Sequence, residues 1–263
     1  MQKPLTHAAT ALDDLGAIRV QGPDAVKFLQ GQLSSDVTKL SPQQPLLAGF
    51  HNAQGRVIAL LRLASLGAED ILALLPRELA APVAARLGKF ILRARVKVVD
   101  DSSNWKITGI AGEPPPGELF VRIDAAMPRG WLVTPADEPI DLAGYSRLDR
   151  ESWRALDIAA GIPQVYAATS EAFVAQMLNL DVLEAISFDK GCYTGQEIIA
   201  RAHYRGRVKR RMQRFSSHAA LQLAPGSTGV LDDGRSYEVV DATGLPDGRS
   251  EFLAVAPVLD DPQ

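Results

Sequence analysis

The sequence predicts a mixed α+β body followed by a small all-β module that begins near residue 208. Apolar residues recur at helical spacing in some segments and alternate in others, which indicates helices and strands in one chain. After residue 208, short alternating runs are separated by the turn pairs Asp233-Gly234 and Asp247-Gly248. The 263 residues are 46% hydrophobic and 22% charged, a composition typical of globular proteins rather than disordered ones.

Up to residue 160, the body is predicted to alternate short strands with three helices. The predicted strands are 17–20, 46–50, 57–63, 71–75, 96–99, 105–110, 119–123 and 131–134. The predicted helices are 25–33, 76–87 and 149–160. The second is the clearest, because Leu79, Val83 and Leu87 follow Pro76 at a spacing of four residues.

Composition excludes several classes of protein. A net charge of -3 gives no overall attraction to nucleic acid or membranes, and no apolar run reaches the ~20 residues of a membrane span. The single cysteine precludes an intramolecular disulfide, and residues 1–13 lack a signal-peptide layout, so we expect a cytoplasmic protein. The four histidines lack metal-ligand spacing, and neither a phosphate-binding glycine loop nor a Gly-x-Ser-x-Gly elbow is present.

The segment around Cys192 is the strongest chemical candidate. Gly191 and Gly195 flank the cysteine, and the apolar residues after them predict a helix that begins near residues 194–195. Cys192 would then precede a helix N-terminus, and both the helix dipole and Lys190 would favour the thiolate. The alternative is a small buried hydrophobic cysteine. One thiolate cannot hold an iron–sulfur cluster, so Cys192 can only be a transient ligand beside ligands from elsewhere.

Two further features each allow two interpretations. Downstream of the cysteine lies a basic run of Arg201, Arg205, Arg207, Lys209, Arg210, Arg211 and Arg214, with His203 and Tyr204 among them. This run could bind RNA or the carboxylates of a folate, or it could be a solvated strand face. Trp153 lies on a predicted amphipathic helix, where it is either a core residue or a ring that stacks on a pterin.

Several motifs resemble one family. The run Lys190-Gly191-Cys192-Tyr193-Thr194-Gly195-Gln196-Glu197, followed by Ala200-Arg201-Ala202 and Arg205-Gly206, resembles the signature of the YgfZ family. Similar segments occur at 22–37, 52–57, 153–163 and 176–179, so the likeness extends to about Arg214. On these residues the chain is identified as a member of that family.

The resemblance implies a fold like that of the glycine-cleavage T-protein (GcvT), with three subdomains around a central channel and a small β-barrel-like module at the C-terminus. We expect the divisions 1–145, 146–207 and 208–263. It implies binding of tetrahydrofolate or a derivative, and support for iron–sulfur proteins or their assembly factors, including enzymes that modify tRNA. Cys192 and Lys190 would be the functional pair. The expected folate contacts are Trp153, Tyr193, Gln196, Glu197, Arg201 and Arg207.

Departures from the T-protein pattern argue against its chemistry. Ala59 and Leu60 stand where the T-protein has an acidic pair, and Ala159 replaces its pterin-binding glutamate. Neither alanine nor leucine can act as a general acid or base, so we expect glycine-cleavage chemistry to be absent. A second folate-contacting tryptophan of the bacterial relatives falls near Leu15 here. The alternative functions are a folate-dependent aminomethyl or one-carbon transferase and an RNA-binding module.

Overall fold

The computed structural model describes residues 7–124, 127–206, 208–218 and 220–259. It confirms the mixed α+β class. The helices over these residues are α1 (Ala25–Gln30), α2 (Arg77–Gly88), α3 (Arg150–Ala159) and α4 (Gln196–Arg205). The strands are β1 (Ala8–Ala11), β2 (Leu15–Gln21), β3 (Leu46–His51), β4 (Val57–Gly67), β5 (Asp70–Pro76), β6 (Lys97–Asp100), β7 (Trp105–Ala111), β8 (Leu119–Asp124), β9 (Arg129–Pro135), β10 (Ser146–Arg147), β11 (Arg210–Ser217), β12 (Thr228–Val230), β13 (Ser236–Gly244) and β14 (Ser250–Pro257).

The chain forms two compact units, each assembled from separate stretches. Unit 1 comprises Met1–Phe28, Val37–Leu46 and Leu61–Trp153. Unit 2 comprises Leu29–Asp36, Leu47–Leu60 and Arg154–Gln263. The three-part division expected from the sequence stays a prediction.

Unit 1 contains two sets of paired strands. One sheet has the order β10-β1-β7-β9-β8, in which only the β1–β10 pair is parallel. The other pairs β4, β5, β2 and β6 in that order, all antiparallel. The helix α2 buries Leu79, Val83 and Leu87, as its four-residue spacing predicts. Their burial supplies much of the apolar area that holds this helix in place.

Unit 2 contains a four-stranded antiparallel sheet in the order β11-β14-β13-β12. Both predicted Asp-Gly turns are present, and in each the aspartate accepts a hydrogen bond from the backbone N–H of an arginine, Arg235 or Arg249. This sheet encloses an apolar cluster of Val239, Ala242, Phe252 and Ala254. The same unit holds β3 and the first four residues of β4, which form a hairpin.

Two expectations about elements were wrong in detail. The first helix ends at Gln30 rather than continuing to Leu33, because Leu33 pairs in a β-bridge with Phe50. The strand β1 was missed, since its sequence Ala-Ala-Thr-Ala carries little of the β-branched or aromatic signal that marks strands. In the part of the chain that the structure describes, no helix is both long enough and apolar enough to span a bilayer.

Candidate functional site

The loop that carries Cys192 leads directly into α4. The helix begins at Gln196, and Gly195 forms its N-cap in the left-handed conformation, with φ of 83°. Cys192 lies three residues before this cap and its side chain is exposed. The sequence therefore predicted both the start of the helix and the position of the cysteine just before it.

Two glycines allow the start of α4 to lie against the turn of the β3–β4 hairpin. A Cβ atom added to Gly195 would meet the carbonyl oxygen of Asn52 at 2.5 Å and the Cα of Gly55 at 3.0 Å. A Cβ added to Gly55 would meet the side chain of Ile198 at 3.1 Å. Contacts this close leave no room for a larger residue at Gly195. The hairpin turn thus fixes where α4 starts.

The hairpin turn is itself held by one asparagine side chain. The Oδ1 atom of Asn52 accepts hydrogen bonds from the backbone N–H groups of Gln54 and Arg56, both at 3.0 Å. Its Nδ2 atom donates to a carboxylate oxygen of Glu171. This use of an asparagine side chain is common in turns, and it makes the surface under α4 rigid.

Lys190 ties the cysteine loop to the loop that follows α1. Its Nζ atom donates hydrogen bonds to the carbonyl oxygens of Leu33 and Ser35, both at 2.7 Å. The ammonium group also lies 5.2 Å from the centre of the Tyr193 ring, within the range of a cation–π contact. Two of its three donors are therefore engaged by backbone, so Lys190 positions the loop.

Burial shifts the pKa of the groups on either side of the cysteine. It lowers the pKa of Lys190 to about 8, although the nearby charge of Asp36 acts in the opposite direction. It raises the pKa of Tyr193 to about 12. It also lowers the pKa of His51, whose ring lies 6.3 Å from that of Tyr193, to about 4. The Gly55 backbone opposes this last shift, but neither ring nitrogen of His51 has a partner in hydrogen-bond geometry among the described residues.

The Lys190 shift predicts how stability depends on pH. Between its folded pKa of about 8 and its ordinary value of 10.5, the unfolded chain holds a proton that the folded chain has lost. Raising the pH from 8 to 10 should therefore increase the free energy of unfolding, by about 1 kcal/mol after allowance for solvent screening. This increase is measured by urea unfolding of the wild type and of Lys190→Met at both pH values. If the variant shows the same increase, Lys190 is not its source.

Gln176, two residues after Val174, also holds α4 in place. Its Nε2 atom donates to the carbonyl oxygen of Ile199 at 2.7 Å, and the residue is buried. The guanidinium of Arg211 in turn donates to the carbonyl oxygen of Gln176 and, in a two-point ion pair, to Asp181 at 2.8 and 2.9 Å. The side chain of Arg211 therefore stabilises the 176–181 turn, which contacts α4 through Gln176.

The remaining basic residues fall into two groups. Arg210 donates to the carbonyl oxygen of Val255, and Arg214 pairs with Glu251 at 2.9 Å. The side chains of Arg201, Arg205 and Lys209 are exposed and make no hydrogen bond or ion pair with any other described residue. Arg207 lies outside the described residues. Within the basic run, Arg210, Arg211 and Arg214 are therefore already bound to sheet residues and to the 176–181 turn.

Trp153 lies in unit 1 and is buried, with 3% of its surface exposed. A Cβ added to Gly109 of β7 would meet its ring at 2.9 Å, and the guanidinium of Arg129 lies 5.4 Å from the ring centre. Of the two interpretations left open by the sequence, core packing describes its surroundings. The folate-contact assignment of this residue stays a prediction.

The predicted site residues are therefore distributed as follows. Unit 2 brings together Lys190, Cys192 and Tyr193 on the loop, with Gln196, Glu197 and Arg201 along α4. Ala59 and Leu60 are buried in β4. The anchors Asn52 and Gln176 were not predicted as site residues, although both fall in segments that matched the family. Among the described residues, no three His, Cys, Asp or Glu side chains group closely enough to hold a metal ion.

Comparisons with known proteins agree with this description. No family model matches the chain. An uncharacterized protein of Haemophilus influenzae is 35% identical over 80% of this chain and 74% of its own length. The tRNA-modifying protein YgfZ of Yersinia pestis is 33% identical over 96% of this chain and 84% of its own length.

A solved structure confirms the predicted fold. The glycine cleavage system aminomethyltransferase T from Bartonella henselae superposes with a TM-score of 0.75, covering 97% of this chain and 79% of its own. At 15% identity, this likeness concerns the fold alone.

Proposed function

Since the chain belongs to the YgfZ family, we propose that it is a tetrahydrofolate-binding accessory protein that supports the assembly or repair of iron–sulfur clusters in other enzymes through Cys192. Its relative in Yersinia pestis is named a tRNA-modifying protein. We infer that the enzymes served by this chain include ones that modify tRNA. The T-protein-like fold supports the folate part of this proposal.

One observation carries the proposal: the only thiol of the chain is exposed on a loop whose position is fixed on both sides. Lys190 holds the loop before the cysteine, and Gly195 fits the helix after it against the hairpin turn. A sulfur atom presented in this way can bind iron or accept a persulfide sulfur from a partner. Because a cluster needs about four ligands, the remaining ones must come from the partner.

The polar residues on α4 fit a folate. The exposed carboxylate of Glu197 can accept hydrogen bonds from a pterin ring. The guanidinium of Arg201, which has no partner among the described residues, can bind the carboxylates of the glutamate tail. Gln196 offers both a donor and an acceptor. Tyr193 is buried beneath Lys190, so we assign it a supporting role.

Replacing Cys192 by serine tests the thiol. We expect the variant to lose the ability to restore iron–sulfur enzyme activity in a strain that lacks the protein. Because the side chain is exposed, the free energy of unfolding should change by less than about 0.5 kcal/mol. Gly191→Ala is the matched control, since an added methyl group at Gly191 meets nothing within 4 Å. Full restoration of activity by Cys192→Ser would disprove the role of the thiol.

Anaerobic titration with tetrahydrofolate tests the ligand separately. Wild-type protein and Cys192→Ser should bind equally, whereas Arg201→Ala should bind at least about tenfold more weakly, as loss of a charge-assisted pair predicts. If no variant and no wild-type sample binds, the folate part of the proposal is rejected. Rapid tetrahydrofolate-dependent aminomethyl transfer would instead favour a one-carbon transferase.

A further inference from the structure

The C-terminal half of α4 carries two exposed arginines whose side chains have no partner in the described part of the chain. Arg201 and Arg205 are four residues apart and therefore lie on one face of the helix. Neither guanidinium makes a hydrogen bond or ion pair within the part of the chain that the structure describes. Glu197 is the single acidic residue of α4, so this helix face has a net positive charge on a protein whose net charge is -3.

Beside these arginines lies a cluster of three aromatic rings. Phe188 and His203 are parallel, with ring centres 3.9 Å apart and planes inclined by 18°. Tyr204 meets His203 edge-on at 4.8 Å, and 67% of its surface is exposed. An exposed tyrosine ring that is already ordered by contact with other rings loses little side-chain entropy when a ligand binds to it.

From this surface, defined by Phe188, His203, Tyr204, Arg201 and Arg205, we infer a binding site for an RNA segment with unpaired bases. A base would stack on Tyr204, and Arg205 would bind the neighbouring phosphate. The inference goes beyond the proposed function, because it assigns a macromolecular partner to a surface of which only Arg201 also belongs to the proposed folate site.

The chemistry favours RNA over an acidic protein segment. Arginines alone would serve either partner equally well, but an exposed tyrosine ring that packs edge-on against a pair of stacked rings suits the flat face of a nucleobase. Unpaired bases are required, because a base inside a duplex has both of its faces covered by its neighbours.

The test measures fluorescence anisotropy of a labelled oligouridylate with the full-length protein. We expect Tyr204→Ala to weaken binding about tenfold, whereas Tyr204→Phe keeps the wild-type affinity because it keeps the ring. Arg205→Ala should reduce the slope of log affinity against log salt by about 0.7, as one lost phosphate contact predicts. A fully paired RNA duplex should compete poorly.

Arg93→Ala is the matched control, since Arg93 is another exposed arginine without a partner among the described residues. This control should bind as the wild type does. Equal losses in Arg93→Ala and Arg205→Ala, or a Tyr204→Ala variant that binds normally, would mean general attraction of a polyanion and would overturn the inference. A dissociation constant of the wild type above about 10⁻⁴ M at low salt would also overturn it. Tyr204 and Arg205 are not folate residues, so this outcome is independent of folate binding.

Discussion

Replacing Gly195 by valine should lower the free energy of unfolding by about 3 kcal/mol and remove the function that depends on Cys192. The left-handed conformation at φ of 83° costs any L-residue about 1–2 kcal/mol, and a branched residue at least as much. The added Cβ would also lie 2.5 Å from the carbonyl oxygen of Asn52, a backbone atom that cannot rotate away. Urea unfolding at neutral pH measures the loss.

Gly191→Val provides the comparison for this variant. Gly191 belongs to the same loop, is exposed, and has no atom within 4 Å of the position that a Cβ would take. We expect its unfolding free energy to change by less than about 0.5 kcal/mol. Similar losses in the two valine variants would show that the hairpin turn does not fix the start of α4.

The second large effect is expected at Arg211. Arg211→Met should destabilise the protein by about 2 kcal/mol, since it leaves Asp181 without its cation in a site where only 13% of the carboxylate side chain is exposed. Burial alone would raise the pKa of Asp181, but the hydrogen bond and charge of Arg211 outweigh it and hold that pKa below 3.8. A lowered pKa contributes stability above about pH 4, so the deficit of Arg211→Met should shrink as the pH falls below that value.

Arg214→Met is the control on the same strand. In the ion pair with Glu251, the side chain of Arg214 is 47% exposed. Loss of this pair should therefore lower the free energy of unfolding by less than about 1 kcal/mol. The double variant Arg211→Met with Asp181→Leu should recover much of the stability, because it removes the unpaired charge. If the double variant is no more stable than Arg211→Met, the cost has another origin.

Local patterns in the sequence were sufficient to predict the start of α4, the position of Cys192 just before it and the Asp-Gly turns. Each depends on residues within a few positions of one another, such as Gly195 before an apolar run. The strand β1 could not be predicted, since four small residues carry no pattern until their partner in β7 is known.

The contacts that hold the site could not be predicted from the sequence. Lys190 binds carbonyl oxygens 155 and 157 residues away, and every residue has a carbonyl group, so no residue type marks the partner. For the same reason, the sequence alone could not show which arginines of the basic run pair with other residues. Only the fold distinguishes Arg211, which pairs with Asp181, from Arg205, whose guanidinium has no hydrogen-bond or ion-pair partner among the described residues.

These long separations affect how the protein is made. The ribosome releases Leu47–Leu60 well before Arg154, yet both belong to the same compact unit. At a synthesis rate of about 5–20 residues per second, several seconds pass between the release of this hairpin and the release of α4, the helix that covers its turn. Over that interval its apolar residues have no partner from the later part of the chain, so newly made chains should depend on chaperones until translation has passed α4.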